Sequence, residues 1–389
     1  MITSSTLMRE SRLVRRLSAL SLVLIPLVGC ARPAAGPGQS GNDSRSQLVA
    51  GGNEQVLVFV RGGDPLDVSI VPADGSGPVR PVQIPFASGL PYSDGRWLVL
   101  ADAGSGSVYA CDLNDPSGAA DLGHVDGATW TQVLGLDAGR LLVLAYGQGG
   151  SDSWTASVID LAGGQRTTVA QVYAYAGAIH GSLVALSDDP GAPAPVPAGN
   201  GGGLLSPPGG FTVANPEIER IDLSGGAHQA IPVQSFVSDV AILPDGRIVW
   251  SETGGGANAL WRAYDPATGQ TSTAFDVPFR SDDGLQLIPL TSDNGLPLIG
   301  AAGLVVQYAQ PNAVPLPYEY FPIRNELHRL DGSTVVIQEF DPPTRGKDEY
   351  WAVPTIVGRL VVYRDWYTGD WQVYDSLSEV RLNLAPFAD

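Results

Sequence analysis

Carboxylates are the most numerous side chains in this 389-residue chain with chemistry to offer: 40 Asp and Glu stand against 22 Lys and Arg, a net charge of −18. Two or three carboxyl groups gathered from separate segments suffice for acid–base cleavage of a polysaccharide, which needs no contiguous motif. Asp239 and Asp283 are the first candidates for such a pair. Clustered oxygens could also hold calcium at Asp188-Asp189, Asp282-Asp283 and Ser292 to Gly295. None of these has the spaced acidic loop of an EF-hand, and solvated turns explain them as well. No other metal or cofactor is expected: His124, His180, His228 and His328 are isolated, with no HxH or HExxH spacing. A Gly-x-Ser-x-Gly elbow, a phosphate loop and a dinucleotide fingerprint are all missing.

Binding asks less of a sequence than catalysis does. Flat aromatic faces beside carboxylates and guanidinium groups suit sugars and peptide side chains. Trp130, Tyr175, Arg280, Asp282, Tyr320, Tyr350, Trp366 and Tyr367 are the candidates, all in or next to connecting segments. Packing between sheets is the competing use of each aromatic ring. The acidic balance repels phosphate backbones and anionic headgroups, so nucleic acid is not an expected partner. In the simpler reading the acidic surface serves only solubility. Cys111 lies in the apolar run Val108 to Asp112, where a buried, inert thiol is expected.

The first residues read as an address. Arg9, Arg12, Arg15 and Arg16 precede an apolar run, Leu17 to Val28, that is short for a membrane span. Leu27-Val28-Gly29-Cys30 follows at once and resembles the lipobox of bacterial lipoproteins. The resemblance implies cleavage after Gly29 and lipidation of Cys30, with several acyl chains giving a stable anchor. An ordinary signal peptide and a short transmembrane anchor are the other readings. Cleavage would leave a net charge of about −21 on the remaining chain. Residues 31–47 are small, polar and rich in Gly and Pro, as a tether should be. The expected organisation is a signal peptide over 1–29, a lipidated cysteine and tether over 30–47, and a folded domain over 48–389. The expected location is the cell envelope, outside the cytoplasmic membrane.

The folded domain is built from repeats. Leu260 to Ala274 reads as a hairpin, with Asp265, Pro266 and Gly269 supplying the turn. Six relatives follow the same plan, at 67–84, 107–122, 155–170, 217–232, 326–340 and 370–384. The last turn, Asp375 to Ser378, lacks a glycine. Before each hairpin stands a short apolar strand, several of them entered through Asp-Gly-Arg or a variant: Arg96, Arg140, Arg247 and Arg359 each follow a glycine. In the sixth repeat this strand is expected within Leu296 to Val306. Four strands recurring every 40 to 65 residues or so predict an all-β, seven-bladed β-propeller, with six or eight blades as alternatives.

The segment Leu243 to Gln270 resembles a TolB-type propeller repeat, which implies a fold and no activity. In the topology that this resemblance implies, the turns within strand pairs share one face and the longer connections share the other. Ser187 to Pro216 and about Tyr308 to Asn325 are the longest connections, so the face that bears them is expected to be the working one. Neutral insertion is the competing reading for Ser187 to Pro216. The function expected is a binding or scaffolding module for a glycan, peptide or protein partner. The alternative is an envelope polysaccharide hydrolase or lyase.

Overall fold

The computed structural model describes residues 47–63, 65–85, 89–102, 107–123, 128, 130–147, 154–171, 176–188, 216–235, 237–252, 258–288, 298–310, 321–339, 354–365 and 368–384. Among them every regular element is a strand.

The largest sheet has eight strands and consists of two four-stranded meanders. The first is β1 to β4 (Gln47–Gly52, Val56–Arg61, Leu66–Pro72, Arg80–Ile84) and the second β5 to β8 (Leu90–Ser93, Trp97–Ala101, Val108–Asp112, Asp115–Gly123). A parallel bridge from Gly51 to Ser93 joins them. A glycine is required there, since a Cβ at position 51 would stand 2.3 Å from the Ser93 carbonyl oxygen and its φ is +123°.

Three more meanders follow, each a sheet of its own: β9 to β12 (Trp130–Asp137, Arg140–Tyr146, Trp154–Asp160, Arg166–Ala170), β13 to β16 (Gly177–His180, Leu183–Asp188, Glu217–Asp222, Ala227–Pro232) and β17 to β20 (Val237–Ile242, Ile248–Glu252, Asn258–Asp265, Gln270–Pro278). The next sheet has two short pieces, β21 (Gln286–Ile288) and β22 (Ile299–Gly300), along one edge of β23 (Gly303–Gln310). It continues through β24 (Phe321–His328) to β25 (Thr334–Glu339). The last is β26 to β29 (Thr355–Val357, Leu360–Arg364, Trp371–Asp375, Val380–Asn383).

The first strands close a ring. In order, β1 packs on β5, β5 on β9, β9 on β13, β13 on β17, β17 on β22, β22 on β26, and β26 returns to β1. Meanders arranged radially about such a ring make a β-propeller. The core lies in slices between facing sheets, each filled by the buried faces of second and third strands. The seam between the chain's two ends is one of these slices, where Leu57, Phe59 and Val71 meet Val362, Trp371 and Val373. Phe59 and Trp371 sit with ring centroids 5.1 Å apart. No strand is exchanged across that seam among the described residues.

All seven hairpins expected from sequence form. The turn without glycine also closes, because Glu379 takes the left-handed φ of +59°. Its N–H donates to the Asp375 carbonyl, as those of Gly164, Gly226 and Gly269 donate to Asp160, Asp222 and Asp265. Two expectations need correction in the sixth repeat. The apolar run placed within Leu296 to Val306 is two strands, β22 and the start of β23, turned at Ala301-Ala302 without Asp-Gly punctuation. Tyr308 and Asn325, taken as loop ends, are paired strand residues, so that connection runs only between Gln310 and Phe321.

Candidate functional site

The sheets present two unlike ends. At one end lie the turns from first to second strand and from third to fourth. Arg96, in a turn of the former kind, donates from Nε and Nη2 to Asp112 Oδ2 (3.1 and 2.9 Å), in a turn of the latter kind. The other end carries the connections from second to third strand and from sheet to sheet.

Several polar groups at the turn end serve the turns themselves. Asp94 Oδ1 accepts from the N–H groups of Arg96 and Trp97 (3.0 and 2.8 Å), while Oδ2 accepts from the Gly139 N–H of the next meander (2.6 Å). Asp137 Oδ2 accepts in the same way from the Gly181 N–H (2.7 Å). Asn53 Nδ2 donates to the Asp94 carbonyl (3.1 Å), and Arg359 pairs with Glu54 across the seam (3.3 Å).

At the loop end a charge cluster begins on β24 and runs along that strand toward its other end. Arg324, Glu326 and His328 alternate along β24, so they share one face. Tyr308 is the cross-strand partner of Arg324 and, with Leu304 and Val306, packs toward the β17–β20 sheet. Arg324 Nη1 donates to Asp283 Oδ2 (3.0 Å). Its Nε stands 2.5 Å from Glu326 Oε1, off the hydrogen-bond line. Glu326 Oε2 lies 3.2 Å from His328 Nε2. The Arg324 guanidinium also sits 5.7 Å from the centre of the Tyr308 ring. Ser281 donates to Asp283 Oδ1.

These contacts fix the protonation states. Burial opposes ionisation of Glu326, but the His328 hydrogen bond and the Arg324 charge outweigh it and hold the pKa below its ordinary value. The Ser281 hydroxyl, helped by Arg324, does the same for Asp283. Burial, reinforced by Glu326, pushes the Tyr308 phenol up to about 12. The site therefore offers two carboxylates, a cation and a neutral phenol at ordinary pH. That composition can bind and orient, but it holds no carboxylic acid ready to donate a proton.

Two further polar groups stand at the same end. Glu252 accepts from Trp250 Nε1 (3.1 Å) and Arg262 Nε (3.2 Å), with Arg262 Nη1 donating to Thr273 Oγ1 (2.7 Å). Across β23, β24 and β25 runs an amide ladder: Gln307 Nε2 to Asn325 Oδ1 (2.9 Å), Asn325 Nδ2 to Gln338 Oε1 (3.3 Å) and Gln338 Nε2 to the Arg364 carbonyl (3.0 Å).

Of the residues singled out from sequence, Arg280, Asp282 and Asp283 share the link from β20 to β21, and all three are exposed. Asp283 joins the Arg324 cluster. Asp239 is exposed on β17, in a bulge where Ser238 and Asp239 stand opposite Ser251 alone. Ser251 Oγ receives the Asp239 N–H (3.0 Å). Trp130 opens β9, paired with Tyr146. Cys30, Tyr175, Tyr320, Tyr350, Trp366 and Tyr367 lie outside the described residues. Sequence reading passed over Arg324, Glu326 and Arg262; the alternation Arg-x-Glu-x-His was the signal that could have found the first two. Among the described residues no group of three His, Cys, Asp or Glu side chains is placed to hold a metal ion. Cys111 is buried, and its surroundings push the thiol up to about 11, which leaves it unreactive.

No protein-family model matches this chain, and no curated protein does either. Among solved structures, it is similar to an oligogalacturonate lyase in complex with manganese, at 12% identity and a TM-score of 0.49, over 82% of this chain and 85% of that one. The β-propeller domain of the Trilobed protease from Pyrococcus furiosus matches at 12% identity and 0.49, over 88% and 99%. TolB from Acinetobacter baumannii matches at 13% identity and 0.38, over 83% and 77%. The class of fold rests on the ring of strands described above, and these likenesses carry no activity to this chain.

Proposed function

We propose that this chain is an extracytoplasmic lipoprotein, anchored through Cys30, whose propeller presents its loop end to a glycan, peptide or protein partner. The lipobox-like Leu27 to Cys30 supports the anchor. Counting the eight-stranded sheet as two blades, β1–β4 and β5–β8, makes the propeller seven-bladed. The observation that carries the binding role is the contrast between ends: the strands β14 and β23, from which both long connections leave, finish at the loop end, where Arg324 and exposed Arg280 and Asp282 also stand. Carboxylates held ionised favour recognition over general acid catalysis.

Two measurements test this. Mass spectrometry of the mature N-terminus should find Cys30 acylated, and Cys30→Ala should release the protein from the membrane fraction. Affinity capture from envelope extract should lose its partner in an Arg280→Ala/Asp282→Ala variant whose melting is unchanged. Capture that survives this variant and replacement of residues 311–320 argues against the loop end. The second reading, an envelope polysaccharide hydrolase or lyase, is favoured by one feature, the exposure of Asp239 on a bulge of an innermost strand. Cleavage of envelope polysaccharide that is abolished by Asp239→Asn would support it over binding alone.

A further inference from the structure

The turn end is irregular between the β9–β12 and β13–β16 sheets. Four meanders enter their second strand through Gly-Arg, and three of those arginines pair with a carboxylate of their own turns: Arg96 with Asp112 (2.9 Å), Arg247 with Asp245 (2.8 Å) and Arg359 with Asp375 (3.2 Å). Arg140 departs from the pattern. Its direct strand partner is Asp160, yet its Nη1 donates instead to the Gly181 carbonyl of the next meander (2.9 Å). In that next meander Gly181 is followed by Ser182, where the four Gly-Arg meanders carry arginine. Both departures fall on the same seam, and a cavity of about 210 Å³ opens between them.

Its lining has a mixed character. Arg140 supplies a cation and Asp160 a carboxylate, while Gln165, Thr167 and Ser182 supply an amide and two hydroxyls over an apolar floor of Val158 and Leu223. Asp160 Oδ1 caps its own turn by accepting from the N–H groups of Ala162 and Gly163 (3.0 and 3.2 Å). Oδ2 takes no hydrogen bond among the described residues, so it stays open as an acceptor. The volume exceeds the roughly 10–15 Å³ that one water needs and falls short of the about 300–1,000 Å³ of a drug-sized site.

We propose that this cavity between the β9–β12 and β13–β16 sheets is a binding site for a single neutral sugar ring, such as the end residue of a glycan. An anion would meet Asp160, and a cation would meet Arg140. A polyol needs both donors and acceptors within a few ångströms of one another, with an apolar surface for its C–H face, and all of these are in place. The site lies opposite the loop end, so it stands independently of the partner proposed there.

The experiment is saturation-transfer NMR on the full chain with glucose, galactose, mannose and N-acetylglucosamine as probes, and with glycine and alanine as zwitterionic controls. At least one sugar is expected to bind saturably, with a dissociation constant of roughly millimolar, as suits so few atoms. Ser182→Arg introduces the side chain that four of the meanders carry, places Asp222 within its reach as Asp112 is for Arg96, and fills the cavity. It should weaken binding more than about tenfold with unfolding unchanged. Thr167→Val, which removes one hydroxyl on a strand and preserves shape, should weaken it by a smaller factor. The proposal is overturned if none of the sugars saturates, if both variants bind them as the parent does, or if only the amino acids bind.

Discussion

The two ends of this propeller spend their polar side chains in opposite ways. At the turn end an aspartate can be short-range hardware: Asp94 satisfies two N–H groups of its own turn and one of its neighbour's. The cluster that starts at the loop end joins Asp283 of the β20–β21 link to Arg324 of β24 and continues along that strand through Glu326 to His328, all within or next to one sheet. The first arrangement builds the scaffold. The second sits where connecting segments of any length can be attached without disturbing the ring, which is where recognition is usually placed. The difference also shows why acidic residues alone did not locate a site, since most of those with the strongest sequence signature are turn caps.

The sharpest way to break this contrast is to remove a loop-end charge and find it as structural as a turn cap. Arg324→Met leaves Glu326 ionised in a buried position with only His328 beside it, and should cost about 3 kcal/mol at neutral pH. The sign with pH follows from the shifts. Glu326 and Asp283 titrate below their ordinary values of 4.5 and 3.8, so the stability they lend is full above those values and is lost as pH falls through the lower folded values. In Arg324→Met, burial of Glu326 is less opposed, so acid unfolding should begin at higher pH than in the parent. Adding Glu326→Gln should restore much of the loss. Denaturant unfolding from pH 3 to 8 checks all of this, and identical acid midpoints in parent and variant would show the cluster to be energetically idle.

Asp94→Ala probes the other end. It strips a cap from one turn and an acceptor from the Gly139 N–H of the next meander, and should cost about 2 kcal/mol in denaturant unfolding. Asp94→Asn keeps one oxygen for the turn and should fall between parent and alanine. Partner capture at the loop end should be untouched by either change, provided that the protein is folded at the assay temperature.

The order of these effects bears on what the sequence could disclose. Turn chemistry is local, so the aspartates, glycines and apolar second strands could be read directly, and the hairpins formed where they were expected. The sixth repeat misled because Ala301-Ala302-Gly303 makes its turn without an aspartate, letting one apolar run pass for one strand. The Arg324 cluster stayed hidden for another reason. Its members belong to the β20–β21 link, β23 and β24, and the pairing of β23 with both β21 and β24 is what brings them together. The cavity at Arg140 was half legible, because Ser182 in place of arginine is visible in sequence, whereas the diversion of Arg140 to Gly181 is not.

The smallest effect makes the finest test of how far turn chemistry governs the scaffold. Glu379 occupies the position filled by glycine in three sister turns and holds φ at +59°, a region that costs an L-residue about 1 kcal/mol. Against that cost stands its ion pair with Arg329 (2.8 Å), in which the Glu379 side chain is 66% exposed, so the pair contributes little. Arg329 keeps its hydrogen bond to the Tyr374 hydroxyl without it (2.5 Å). Glu379→Gly should therefore raise stability by about 0.5 kcal/mol, read as a slightly higher melting temperature. Glu379→Gln, which keeps the strain and removes the charge, should lower it by less than that. A fall in melting temperature for the glycine variant would mean that the Arg329 pair, reaching across the seam between the β21–β25 and β26–β29 sheets, matters more to the ring than the backbone of the turn.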